Sequence, residues 1–142
     1  MRESSTASLF LGLQCAADRL LRDAEALFKS AGLTAPQYNV LRILRGARGE
    51  GLASCEISAR MISREPDIAR LLDRLAARDL VTRERLENDR RVVKTRISEK
   101  GLELLASLDP AVRTLHERQF AALTQAERAS LGEILSRLNP SC

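Results

Sequence analysis

Residues 81–98 constrain this chain more than any other stretch. They read Val81-Thr-Arg-Glu-Arg-Leu-Glu-Asn-Asp-Arg-Arg-Val-Val-Lys-Thr-Arg-Ile-Ser98. Strand-type residues flank a polar tip, Glu87-Asn88-Asp89-Arg90-Arg91, which is the pattern of a β-hairpin with two adjacent arginines at or just past its turn. The hairpin directly follows a segment of helical pattern, Arg64 to Arg78, that carries arginines four residues apart. A basic helix followed by a basic ribbon is suited to entering two grooves of duplex DNA at once.

The rest of the chain is helical in pattern. Leu9, Phe10, Leu13, Ala16, Ala17, Leu20, Leu21, Ala24, Leu27 and Phe28 recur at spacings of three and four, predicting a first helix over about 5–30 that Gly32 stops. Thr34-Ala-Pro-Gln37 reads as a capping box for a second helix, with Tyr38, Val40, Leu41, Ile43 and Leu44 turned inward and a glycine-rich break at 46–51. Ser54 is expected to cap a short third helix and Ser63 a fourth, with Pro66 in its first turn and Ile68, Leu71, Leu72 and Leu75 as its buried stripe. The tight turn Met61-Ile62-Ser63 between them makes a helix-turn-helix candidate. The hairpin follows, Leu80 to Arg85 and Val92 to Ile97. Ser98 opens a fifth helix, which Asp109-Pro110 is expected to restart or kink. Thr124-Gln-Ala-Glu127 is a capping box for a last helix, ended by Asn139-Pro140.

The implied fold class is mainly α (α+β): a winged helix-turn-helix with N- and C-terminal dimerisation helices. The expected division is arms at 5–32 and 101–139, a winged core at 33–100, and a wing at 80–98. The arms carry more apolar surface than so small a core can cover. Two chains pairing their arms into a twofold homodimer would bury it; arms folded back on their own core are the alternative.

Charge supports the same reading. Residues 34–100 hold 15 Lys/Arg against 10 Asp/Glu, whereas the flanks hold 8 against 9, so the excess of the net +4 sits wholly in the middle. That is an electrostatic footprint of nucleic-acid binding. Aromatic residues are 3% with no Trp, which argues against single-strand or RNA binding by base stacking. No apolar run approaches the ~20 residues of a membrane span, and no signal-peptide pattern opens the chain. Cys15, Cys55 and Cys142 are an odd number at no ligand spacing, so neither a disulfide framework nor a metal site is indicated, and a reducing cytoplasm is the expected location. An enzyme is disfavoured. There is one His, no nucleophile–base motif, no implied cofactor, and the glycines at 46, 49 and 51 lack the lysine of a P-loop.

With these elements in order, the chain resembles the multiple-antibiotic-resistance regulator (MarR) family of bacterial transcription factors. The resemblance rests on Leu33-Thr-Ala-Pro-Gln-Tyr-Asn-Val-Leu41, Ile68-Ala-Arg-Leu-Leu-Asp-Arg-Leu75, Leu80-Val-Thr-Arg83, Asn88-Asp-Arg-Arg91 and Ile97-Ser-Glu-Lys-Gly101. It implies a dimeric regulator, repressor or activator, on a palindromic operator. It also implies that a small effector, often an aromatic acid or phenol, or an oxidant releases the DNA. One departure is Asp79, where the family usually has Gly between recognition helix and wing.

Candidate contacts follow. Arg64 and Arg70 are expected to make bidentate bonds to guanine, Asp67 to accept from a cytosine amine, and Pro66 to touch a thymine methyl. Arg74 and Ser63 are expected at phosphate. Arg90 or Arg91 is expected to enter the minor groove. The resemblance suggests that Asp89 braces an arginine at the tip. Arg83, Arg85, Lys94 and Arg96 are expected to position the backbone. By resemblance the effector site lies between arms and core, with Tyr38, Arg42 and His116 as its polar groups. Peroxide-sensing members carry a reactive cysteine in the first helix. Cys15 stands nearer Thr34 than theirs would, lacks tyrosine partners beyond Tyr38, and sits among Leu13, Ala16 and Ala17, an apolar setting, so a structural thiol is favoured over a redox one. A winged helix used as a protein–protein module is the other alternative; it would carry an apolar or acidic face where this one is basic.

Overall fold

Among residues 5–139, which the computed structural model of the chain describes, six helices and three short strands follow one another. Pro140 and Cys142 lie outside the described residues. Helix α1, Thr6–Ser30, is capped by Ser5, whose hydroxyl accepts from the Ser8 N–H. It ends at Gly32, with φ of 69°. The Gly32 N–H donates to Lys29 O and the Leu33 N–H to Phe28 O, the paired bonds of a Schellman end. Helix α2, Ala35–Gly46, begins at the Thr34/Gln37 capping box, in which each side chain accepts from the other residue's backbone N–H.

Strand β1, Leu52–Ala53, is an element that sequence pattern did not reveal. It leads into α3, Ser54–Arg60, whose cap is Ala53 and not Ser54. Alanine has no capping oxygen, so the Glu56 carboxylate takes the Ala53 N–H instead, at 2.6 Å. Helix α4 spans Ile68–Ala77 and is followed by β2, Val81–Arg85, and β3, Val93–Ile97. The antiparallel sheet has the order β1-β3-β2, with Arg83 opposite Thr95 and Leu52 against Thr95 from the other side. Helix α5, Glu99–Gln119, starts at the Ser98 cap and runs through Pro110 as one helix, not two. Its first turn lies so close to the wing root that a Cβ at Gly101 would stand 2.3 Å from Leu80 O. Helix α6, Gln125–Leu138, begins at the Thr124/Glu127 capping box.

The core forms where α2, α3, α4, the sheet and α5 meet. Val40, Leu41, Leu44, Ile57, Leu72, Leu75, Leu80 and Leu105 are shut off from solvent there. Phe28 and Ala24 carry the C-terminal half of α1 into the same cluster. The N-terminal half of α1 and all of α6 stay outside it. The result is a closed winged lobe with open helical arms, and α4 and the β2–β3 ribbon are neighbours on the lobe.

Candidate nucleic-acid interface

Helix α4 buries Leu71, Leu72 and Leu75 and turns Arg70, Asp73 and Arg74 outward. The expected start of this helix moves. Its cap is Asp67, whose Oδ1 accepts from the Arg70 N–H at 3.0 Å, so Ser63, Arg64 and Pro66 lie in an exposed connection before it. The reason is local. Pro66 removes one of the two N–H groups that a Ser63 cap could use and disfavours helical backbone at Glu65 before it. The connection therefore runs through residues 61–67 and not the expected three, and the Asn39 Oδ1 steadies it by accepting from the Ile62 N–H at 3.0 Å. Asp67, expected to face a base, spends one carboxylate oxygen on the cap. Arg64, Arg70 and Arg74 have no acidic partner among the described residues; their guanidinium groups face solvent.

At the wing tip, the two arginines are unequal. The Asp89 Oδ1 accepts from the Arg91 N–H at 3.1 Å and lies 3.6 Å from the Arg91 Nε. Arg90 gives its carbonyl to the Arg85 Nη1 at 3.0 Å, and its own guanidinium is unpaired among the described residues. Asp89 thus leans on Arg91, whose side chain stays 95% exposed, and Arg90 has no acidic partner among the described residues.

Lower on the wing, side-chain parity separates the basic residues. Arg83 shares a face with buried Val81, so it turns under the sheet and donates to the Asp73 carboxylate of α4. Its Nε is buried without a partner, as is the Oγ1 of Thr95 across the ladder. Lys94 reaches the Glu56 carboxylate at 2.8 Å. That bond, with the Ala53 N–H, holds the Glu56 carboxyl below its ordinary pKa. Arg96 spans Gly49 O and the Glu84 carboxylate. Arg83, Lys94 and Arg96, expected to position the DNA backbone, make ties within the lobe.

The three expected effector groups do not converge. Tyr38 is buried, its ring stacked on Phe28 with centroids 3.9 Å apart, and burial raises the phenol above its usual pKa. Arg42 is exposed in a groove between α2 and α3, beside Arg60 and Ile62. His116 lines a different groove with Leu131 and Leu135 of α6, and its Nδ1 meets the Gln119 Oε1 at 3.1 Å. Cys15, expected in an apolar setting, is exposed on α1. Two ties escaped sequence reasoning, because nothing in the local pattern announces them: Arg45 with Asp109, at 2.9 Å, and Arg78 with the turn after α1.

Comparison with known proteins agrees with this geometry. The MarR family model matches residues 33–93. The HTH-type transcriptional repressor IacR of Pseudomonas putida is 32% identical over 117 residues, covering 82% of this chain and 69% of that protein. The crystal structure of a MarR transcription factor from Planctomyces limnophilus is 39% identical with a TM-score of 0.75, covering 96% of this chain and 98% of that one. A mutant MarR from Escherichia coli, solved in complex with operator DNA, has a TM-score of 0.81 at 23% identity and covers 92% of each chain, a likeness of fold.

Proposed function

Because the chain belongs to the MarR family of DNA-binding transcription regulators, we propose that it is a repressor that reads a palindromic operator in double-stranded DNA as a twofold dimer. The observation that carries this reading is the set of guanidinium groups without acidic partners among the described residues on adjacent elements, Arg70 and Arg74 on α4 and Arg90 at the wing tip. Arg70, in the first turn of α4, faces base edges in the major groove; Arg74, a turn further on, meets phosphate. Arg64, Ser63 and Pro66 approach the DNA from the connection before the helix. Arg90 enters the minor groove while Asp89 holds Arg91 beside it, and Arg85 fixes the tip through the Arg90 carbonyl. Asp67 contributes as the cap that aims the helix. The winged core at 33–100 reads DNA, and the arms at 5–32 and 101–139 pair the two copies.

The relatives are transcription regulators, and regulation of DNA in the cytoplasm without catalysis is the role proposed here. Among the described residues no helix is long and apolar enough to cross a membrane. An aromatic or phenolic effector, which the resemblance implies, would need a site other than one shared by Tyr38, Arg42 and His116. The exposure of Cys15 makes an oxidant-release role directly testable by peroxide treatment before DNA binding.

The test is electrophoretic mobility shift with duplex selected from a random library by the protein itself. Arg70→Ala is expected to weaken the selected site by about 1–3 kcal/mol and to relax preference at one base position. Arg90→Ala is expected to weaken A·T-flanked sites most. Binding that survives both substitutions together, or that ignores salt, would overturn the proposal.

A further inference from the structure

Two helices of this chain end in the same way at the same place. The Schellman end of α1 places Ala31 at the cap and Gly32 beyond it. Helix α4 ends alike: the Asp79 N–H donates to Ala76 O and the Leu80 N–H to Leu75 O, with Arg78 at the cap. Such an end satisfies the carbonyls two and three places before the cap, and beyond the helix it leaves those of the cap and the next residue without partners. In α1 these are the carbonyls of Ala31 and Gly32, and the Arg78 guanidinium takes both. Its Nη1 donates to Gly32 O at 2.6 Å and its Nη2 to Ala31 O at 3.3 Å. The planar fork places a separate nitrogen on each of two adjacent oxygens, whereas a lysine ammonium would have to bring one nitrogen to both. The cation also stands between two helix C-termini, each the negative end of a helix dipole.

These are the only hydrogen bonds among the described residues that join α4 to α1 or the turn after it. One helix is the proposed recognition element; the other leads to the arm. We propose that Arg78 is a positioning residue for DNA binding. It locks the far end of the recognition helix to the arm and so fixes the distance between the two recognition helices of the dimer. This rests on the dimeric operator reading above. Arg78 itself sits at the end of α4 remote from the capped, base-facing turn, and its fork is occupied by protein carbonyls. It therefore sets where α4 lies without neutralising phosphate.

The test uses the full chain and a palindromic duplex that the wild-type protein selects from a random library, with half-sites at the selected spacing and one base pair closer or further apart. Affinity is measured by fluorescence anisotropy across a series of salt concentrations. Arg78→Gln is expected to weaken the selected spacing roughly tenfold and to flatten the preference over the altered spacings. The slope of log affinity against log salt is expected to stay at the wild-type value, whereas loss of a phosphate contact lowers it by about 0.9 per phosphate. Arg78→Lys is expected to restore part of the spacing preference, since one carbonyl can still be reached. If the glutamine variant does not fold, the lysine variant carries the same two readouts, with a partial loss of preference expected. A reduced salt slope would make Arg78 a phosphate contact, and an unchanged spacing preference would leave it only a stabilising tie; either overturns the inference. A wild-type protein that enriches no duplex overturns the function itself and the inference with it.

Discussion

The lobe and the arms of this molecule are made from the same residues at the same helical spacing, and they meet opposite fates. In the lobe, Leu41, Leu44, Leu72 and Leu75 have at most 1% of their surface exposed. On the arms, Leu9, Phe10 and Leu138 are 54%, 60% and 59% exposed. Helix α6 has a complete capping box and buries no residue at all among those described. The contrast separates two things that an amphipathic stripe confounds. Caps and periodicity make a helix, because they act within a few residues. What the stripe packs on is a separate, non-local matter. Each large apolar side chain gains about 1.5–3 kcal/mol on full burial, and the arms leave several such gains unrealised within one chain. A second copy is the proposed partner.

The sharpest way to break the comparison is to empty a core position. Leu72→Ala removes a fully buried side chain from the lobe and is expected to cost about 2–5 kcal/mol. Urea unfolding at fixed protein concentration measures it. A loss below about 1 kcal/mol would mean that the lobe is no better packed than the arms.

On the arms the opposite is expected. Phe10→Asp and Leu138→Asp replace groups exposed in the single chain, so at protein concentrations low enough to separate the copies each should change the unfolding of the lobe by no more than about 0.5 kcal/mol. Together they should convert a dimer to a monomer in sedimentation and weaken operator binding on the order of 100-fold, through loss of the second half-site. A double variant that sediments and binds as the wild type would show that the arms pack in some other way.

The same division explains what could be read from sequence. Helix positions and the hairpin were legible because Thr34/Gln37, Ser98 and Thr124/Glu127 are local signals, each complete within three residues. Strand β1 was not, since its two residues form a strand only by pairing with Thr95 and Lys94. Pro110 looked like a break, yet α5 continues through it; Leu105 and Leu108 before it and Leu115 after it are held in the core, which offsets the lost hydrogen bond. At the interface, residue types were legible and their partners were not. That Asp89 would brace an arginine followed from the resemblance, but that it is Arg91 depended on the turn. Arg83 and Lys94 read as charges that position the DNA backbone, and only the sheet's parity and neighbours turn them into ties. Arg78 and Arg45 find partners 46 and 64 residues away in sequence, a separation that no local pattern spans.

The smallest expected effect lies where lobe and arm meet, at the two helix ends that Arg78 joins. Gly32 and Asp79 occupy equivalent places, one residue beyond the cap, with φ of 69° and 59°. Glycine adopts this left-handed conformation without penalty, whereas an L residue incurs roughly 1–2 kcal/mol, less for Asp. Asp79 recovers little in exchange: its carboxylate stands 4.0 Å from the Lys100 Nζ, a solvent-exposed pair of small value. Its carbonyl, which accepts from the Ser98 hydroxyl, is backbone and survives substitution. Asp79→Gly should therefore stabilise the lobe slightly, by no more than about 1 kcal/mol after allowing for the greater freedom of an unfolded glycine. The reciprocal Gly32→Ala should destabilise by about 1–2 kcal/mol, because it forces the same conformation on an alanine. It also sets a Cβ 3.4 Å from the Arg78 Nη2. Thermal unfolding of the two variants beside the wild type decides the matter. If Asp79→Gly lowers the midpoint, the Asp79 side chain has a stabilising role that outweighs its backbone strain, and the two helix ends are not equivalent after all.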